Sequence, residues 1–227
     1  MLYWDWTYLL IIPGMLLGLW AQHKVKSTYQ EYSRVATRLG QPASMVVNDL
    51  LHRNGNHAVR IGRVSGSLTD HYNPSTETLN LSEGVYGSAS VAALGIAAHE
   101  AGHAMQKQEG YMPLKLRTAI VPAVNICSSL STPLFFLGLI MSLQPLLTLG
   151  IVLFAASTVF ALVTLPVEFD ASNRAVKMLT EGGYVTHEEE RGVRSVLNAA
   201  ALTYVAAAVT SLLSLLRLVM IANRRRD

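Results

Sequence analysis

A mainly α-helical membrane protein, with about four transmembrane helices and one small α+β unit, is the fold class that the sequence predicts. Three observations carry it. Of the 227 residues 51% are hydrophobic and only 15% are charged, a membrane composition rather than a soluble one. Charge is absent from three long runs, Trp6 to Gln22, Thr118 to Val167 and Ser195 to Leu216. Between the first two runs, the apolar pattern changes from a helical period to the period of two that strands show.

Roughly 20 helical residues cross a hydrocarbon layer about 30 Å thick, so the first and last runs make one span each. The middle run is long enough for two spans joined by a tight turn, for which Gln144-Pro145 is the natural site. The N-terminal run lacks the basic start and the small-x-small cleavage site of a signal peptide. It carries Trp4, Trp6 and Trp20 at interfacial positions and reads as a retained anchor. After it, Ser27 to Leu39 has helical apolar spacing and ends at Gly40, an amphipathic helix. Pro42 to Arg53 is a second helix, with Met45, Val46, Leu50 and Leu51 on its apolar face and Asn54-Gly55 at its end. His57 to Val64 alternates as a half-buried strand does, and Thr78 to Ser82 is a second, weaker strand behind the turn Asn73-Pro74-Ser75. The next helix starts near Ser88 or Ser90, either of which caps it, runs to about Gln108 and stops at Gly110. Pro166 followed by Glu168 looks like a helix start, opening the polar segment that reaches Arg194. The single cysteine, Cys127, lies inside a span, so there is no disulfide framework and no thiolate metal site. The net charge of +3 comes largely from Arg224-Arg225-Arg226, a lipid-headgroup contact rather than a nucleic-acid patch.

The stretch Ala97-Ala98-His99-Glu100-Ala101-Gly102-His103-Ala104 organises the chain. Histidines four apart on a helix lie one turn above the other, so both imidazoles reach one metal ion. Glu100 projects about 100° further round, close enough to serve a water activated by that metal without being a ligand. Alanine and glycine surround the histidines, which lets other helices approach closely. Catalytic zinc takes three histidine or carboxylate ligands and keeps one position open. Two antiparallel spans return the chain to the membrane face it left, so Glu168 is delivered beside the motif as the third ligand. The expected chemistry is that of a zinc-dependent endopeptidase holding one Zn2+ per chain, with Glu100 as general base toward the attacking water. His71, Tyr72, Tyr184 and His187 are the candidates for a further oxyanion donor, and an unpaired edge at Asp70 to Tyr72, or at Asn80, suits a peptide added as a strand. For His23, His52 and His57 a surface or packing role is preferred.

The motif Ala-Ala-His-Glu-Ala-Gly-His-Ala-Met-Gln, the upstream Leu68-Thr69-Asp70-His71-Tyr72 and the later Pro166-Val167-Glu168-Phe169-Asp170-Ala171-Ser172 resemble the YugP-type membrane zinc metallopeptidases over nearly the whole chain. More distantly, the layout is similar to HtpX-type and CAAX prenyl-type membrane proteases. The resemblance implies a gluzincin-like, zincin-like metallopeptidase domain with His99, His103 and Glu168 as ligands and Glu100 as catalytic acid/base. Ser172 stands where the distant families have aspartate, so the side chain bracing a ligand is weaker at Ser172 or comes from Asp170 or Asn173. The domain plan is an anchor over 1–22, the α+β metallopeptidase unit over 23–117, a transmembrane hairpin over 118–167, the third-ligand segment over 168–198, and a transmembrane or interfacial helix with a basic tail over 199–227.

Two other functions fit parts of the pattern. Intramembrane cleavage is suggested by the charge-free Gly84 to Ala98, but that run leads at once into Gln106-Lys107-Gln108-Glu109. A zinc-binding scaffold or metal carrier has no use for a base such as Glu100 beside the metal. The expected partners are the lipid bilayer and a peptide or membrane-protein substrate, with no nucleic acid. The expected location is the cell membrane, multi-pass, with the site on the cytoplasmic face, because the polar segments carry 14 of the 18 Lys and Arg. Arg217 interrupts the last apolar segment, which leaves spanning and interfacial placements both open.

Overall fold

Helices dominate residues 6–224, the part of the chain that the computed structural model describes; Trp4, Arg225 and Arg226 lie outside it. A short 3-10 helix, Trp6–Leu10, is followed by α1 (Ile12–Tyr32), α2 (Ala43–Arg53), strands β1 (Arg60–Val64), β2 (His71–Asn73) and β3 (Thr78–Ser82), then α3 (Glu83–Tyr86), α4 (Val91–Gln108), α5 (Met112–Met141), α6 (Gln144–Glu181) and α7 (His187–Asn223). The chain divides into two compact units. One takes the described parts of Met1–Gln22 and Thr203–Asp227 together with Leu116–Leu165, and the other takes His23–Lys115 and Pro166–Leu202.

The second unit has a core of its own. In its three-stranded sheet β3 is central, parallel to β1 and antiparallel to β2. Alternation along β3 turns Leu79 and Leu81 inward, both fully buried. They join Val46, Val47, Leu50 and Leu51 of α2, Leu94, Ala97 and Ala101 of α4, Leu179 of α6 and Val193 of α7. Each buried leucine contributes about 1.5–3 kcal/mol relative to an exposed one, so this cluster fixes how α4, α6 and α7 sit within the unit. Asp70 pins the start of β2 to the end of β3, accepting hydrogen bonds from the Ser82 N–H at 2.7 Å and the Ser82 hydroxyl at 2.9 Å.

Several local expectations are corrected. No separate amphipathic helix spans Ser27 to Leu39: α1 runs unbroken to Tyr32 and stops there. Beyond it the backbone is spent on another partner, with Thr37 N–H donating to the Ala89 carbonyl and Val91 N–H to the Val35 carbonyl. Met45 is exposed and Val47 takes its place in the core. The first strand begins at Arg60, not His57. Pro166 does not start a helix; it lies inside α6. A proline there forfeits one backbone hydrogen bond, yet α6 continues through it to Glu181. The segment after Glu168 is accordingly the continuation of α6, a tight turn at Gly182-Gly183, and the start of α7.

Helices α5, α6 and α7, each shared between the two units along its length, are long and apolar enough to cross a membrane. Their outward side chains include Ile126, Ile140 and Val152, large apolar groups at 60–80% exposure, a surface that suits a lipid environment. The N-terminal apolar run is divided between the 3-10 helix and the first half of α1. The α5–α6 turn falls at Ser142-Leu143, just before Gln144-Pro145. There the two helices touch: a Cβ on Gly138 would lie 2.7 Å from the Leu147 backbone nitrogen, and one on Gly150 2.8 Å from that of Phe135. Arg217 does not break α7; its guanidinium donates to the Thr7 hydroxyl at 3.2 Å and lies 3.9 Å from the Tyr8 ring centroid.

Candidate metal centre

Helix α4 starts where a capping serine stands. The Ser90 hydroxyl accepts from the Ala93 N–H at 3.2 Å, which fixes the register of everything downstream. Nine residues on, His99 and His103 lie one turn apart with ring centroids 4.8 Å apart. Opposite them α6 passes so close that a Cβ on Gly102 would meet the Ala171 carbonyl oxygen at 2.5 Å, so only glycine permits this approach. One turn before Ala171 on that helix, Glu168 faces the histidines. Its Oε2 lies 3.2 Å from His99 Nε2 and 3.5 Å from His103 Nε2. One ligand atom from each of the three residues falls within 4.8 Å of the others. Side-chain exposures of 14%, 11% and 3% leave the cluster enclosed but open on the histidine side.

Two imidazoles and one carboxylate, converging through Nε2, Nε2 and Oε2, are the donor set that zinc takes when one position stays open. The far nitrogens of both rings are held as well. Ser172 Oγ is 3.1 Å from His99 Nδ1, and Gln106 Oε1 is 3.0 Å from His103 Nδ1. Burial alone lowers the basicity of His103, but the hydrogen bond it donates to Glu168 and the charges of Glu100 and Glu168 outweigh it and raise its pKa.

Glu100 leaves the ligand cluster and turns toward β2, where its Oε2 accepts the Tyr72 N–H at 2.9 Å. Strand β2 is a sheet edge, with Tyr72 opposite Leu79 of β3. The Tyr72 phenol is pushed up to about 12, first by burial and then by the Glu77 charge.

The other sequence-predicted positions separate. Asp170 reaches the centre indirectly, accepting from Gln106 Nε2 at 2.8 Å and from Arg174 Nε at 2.6 Å. Asp70 belongs to the sheet through Ser82. His71 is exposed, its Nδ1 at 2.9 Å from the Thr69 carbonyl oxygen and its Nε2 at 3.2 Å from Asn80 Nδ2, and Asn80 lies on the central strand, not on an edge. Asn173 is exposed on α6. His187 is 90% exposed at the start of α7 beside Glu190, and the Tyr184 hydroxyl is taken by Asp49. The residue that sequence reasoning missed is Gln106, fully buried three places after His103. Its only sequence signal is that spacing, and its neighbours Lys107, Gln108 and Glu109 make it look like part of a solvated helix end.

A family described as "Putative neutral zinc metallopeptidase" matches residues 7–223. A relative from Bacillus subtilis (strain 168), named "Putative membrane protease YugP", is 46% identical over 218 residues, covering 96% of this chain and 97% of the relative. No solved structure matches. With the family matching nearly the full length, and a two-histidine, one-carboxylate cluster present on α4 and α6, the chain belongs to the family described as "Putative neutral zinc metallopeptidase" and is similar to that membrane protease.

Proposed function

We propose that the protein is an integral-membrane zinc endopeptidase in which His99, His103 and Glu168 hold the metal and Glu100 is the general base. The observation that carries this is the convergence of His99 Nε2, His103 Nε2 and Glu168 Oε2, with Glu100 next to His99 in sequence but outside the cluster. When bound, zinc supplies Lewis acidity, polarising a peptide carbonyl and making water acidic near neutral pH. Glu100 takes a proton from the attacking water onto its carboxylate and returns it to the departing amine nitrogen. The Tyr72 N–H aims that carboxylate through its 2.9 Å hydrogen bond, and edge strand β2 offers backbone to an extended peptide. Ser172 and Gln106 brace the two rings. The donors all belong to the unit that contains the sheet, which favours a site outside the hydrocarbon over intramembrane cleavage.

The topology proposed is four spans in a cell membrane, with the site on the cytoplasmic side and the domain plan given above. The Arg217 contacts with Thr7 and Tyr8, and Arg224 lying 4.8 Å from the Trp6 ring centroid, support both termini sharing one face. Reporter fusions at the two termini are expected to give the same side. The function itself is tested on detergent-purified protein by metal analysis and by cleavage of a fluorogenic peptide mixture. One zinc per chain is expected, lost in His103→Ala, while Glu100→Gln keeps zinc and loses cleavage. Absence of stoichiometric zinc, or full retention in His103→Ala, overturns the metal assignment; full cleavage by Glu100→Gln overturns the base.

A further inference from the structure

The side chain of Gln106 makes three hydrogen bonds although it is fully buried. Its amide nitrogen donates to the Val167 carbonyl at 2.8 Å and to Asp170 Oδ2 at 2.8 Å. Both partners are acceptors, so the amide has one permitted orientation: reversing it would set the carbonyl oxygen against a carbonyl and a carboxylate. Asp170 is itself held, by Arg174 Nε at 2.6 Å, and Arg174 is anchored by Glu109 Oε2 at 2.7 Å. The consequence falls on His103. The only Gln106 atom left for it is Oε1, an acceptor, 3.0 Å from Nδ1. A neutral imidazole meeting an acceptor at Nδ1 carries its hydrogen there, and the lone pair is then on Nε2, the atom that faces Glu168 and His99. Ser172 gives His99 no such instruction, because a hydroxyl both donates and accepts.

We infer that Gln106 is a positioning residue that fixes the tautomer and ring orientation of His103 for metal binding, its amide oriented by Asp170 and the Val167 carbonyl. This rests on His103 being a zinc ligand, as proposed above. It assigns α6 two tasks: Glu168 is offered to the metal directly, and Val167 and Asp170 act on it through the opposite helix. It also makes the two histidines unequal, one dictated and one adaptable.

The test compares Gln106→Met, which keeps length and removes every polar atom, with Asp170→Asn, which keeps an acceptor toward Gln106, and Asp170→Ala, which does not. Zinc affinity is measured on full-length purified protein by competition with a chromophoric chelator, and Co(II) substitution reports ligand geometry through its visible absorption. Thermal unfolding in excess chelator reports the metal-free fold separately. Gln106→Met is expected to weaken zinc by about 10–100-fold with an altered Co(II) spectrum and near-parental metal-free unfolding. Asp170→Ala is expected to weaken zinc several-fold and Asp170→Asn to restore it. Parental zinc affinity in Gln106→Met overturns the inference, as does equal behaviour of the two Asp170 variants. If Gln106→Met does not fold, that Asp170 pair decides alone. A parental protein that binds no zinc overturns the metal assignment itself, an outcome seen before any variant is made.

Discussion

Gly102 tests whether the approach of α4 to α6 builds the metal centre. A Cβ at this position meets the Ala171 carbonyl oxygen at 2.5 Å and the Ala171 Cα at 3.1 Å, all backbone. Ordinary contact begins near 3.4 Å, so Gly102→Ala must push α6 back by about 0.9 Å. Two effects of opposite sign compete. Alanine in a helix interior is favoured over glycine by up to about 1 kcal/mol, whereas overpacking a rigid core costs about 1–3 kcal/mol. Because the obstacle is main chain and not the end of a flexible side chain, the steric term wins. Ala171 lies one turn from Glu168, so the displacement reaches the ligand, while zinc–oxygen distances tolerate only about 0.2 Å. Zinc affinity in Gly102→Ala is expected to fall by at least about tenfold, with a net loss of stability of about 1–2 kcal/mol. Gly95→Ala is the control on the same helix, where the new Cβ meets Val193, its Cγ1 at 3.4 Å and its Cα at 3.8 Å, ordinary contacts. It is expected to keep parental zinc affinity. The assay is chelator competition together with thermal unfolding. Parental zinc affinity in Gly102→Ala, or an equal loss in Gly95→Ala, refutes the close-approach explanation.

Other outcomes follow from the same geometry. Glu168→Gln is expected to weaken zinc by more than the roughly 10–100-fold that outer hydrogen-bond partners cost, and unchanged retention measured by metal analysis removes it from the ligand set. Zinc affinity is expected to rise with pH and level off above the raised pKa of His103, because below that value each zinc must displace a proton; titration calorimetry in buffers of different ionisation enthalpy reads the released proton. The metal-free protein has the opposite dependence: a raised folded pKa gives stability that is fully present below the ordinary value of 6.5 and is lost as pH climbs through the folded value. Tyr72→Pro removes the N–H that aims Glu100, and proline is tolerated at a sheet edge. It is expected to lower kcat by about tenfold or more with zinc retained, whereas Tyr72→Ala keeps the N–H and much of the rate; equal kcat in the two variants refutes that role for the N–H.

How much of this was legible depended on the range of the interaction. Local signals read well where chemistry is local. The cap of α4, read as Ser88 or Ser90 and found at Ser90, Gly110 with its positive φ after it, and Thr78–Ser82 as a strand are all set by neighbouring residues. They read poorly where a distant partner decides. Nothing near Val35 says that its carbonyl will bind the Val91 N–H, so the helix was expected to run on to Leu39. Pro166 carries a break signal that the continuity of α6 overrides.

The sequence by itself determined that His99 and His103 share a helix face, because a spacing of four and a pitch of 3.6 leave no other arrangement. It also determined that the chain is rich in membrane-length apolar runs, since the charge-free stretches need no fold to be seen. Only the tertiary structure decided that Glu168 Oε2 stands 3.2 Å from His99 Nε2, that Tyr72 holds Glu100 through its N–H, and that Gln106 meets His103 at Nδ1. These contacts join residues many positions apart, and their distances depend on how closely two backbones pack. At Ala97 to Ala104 the spacing of side chains wrote the motif, and the missing side chain of Gly102 allowed the third donor to reach it.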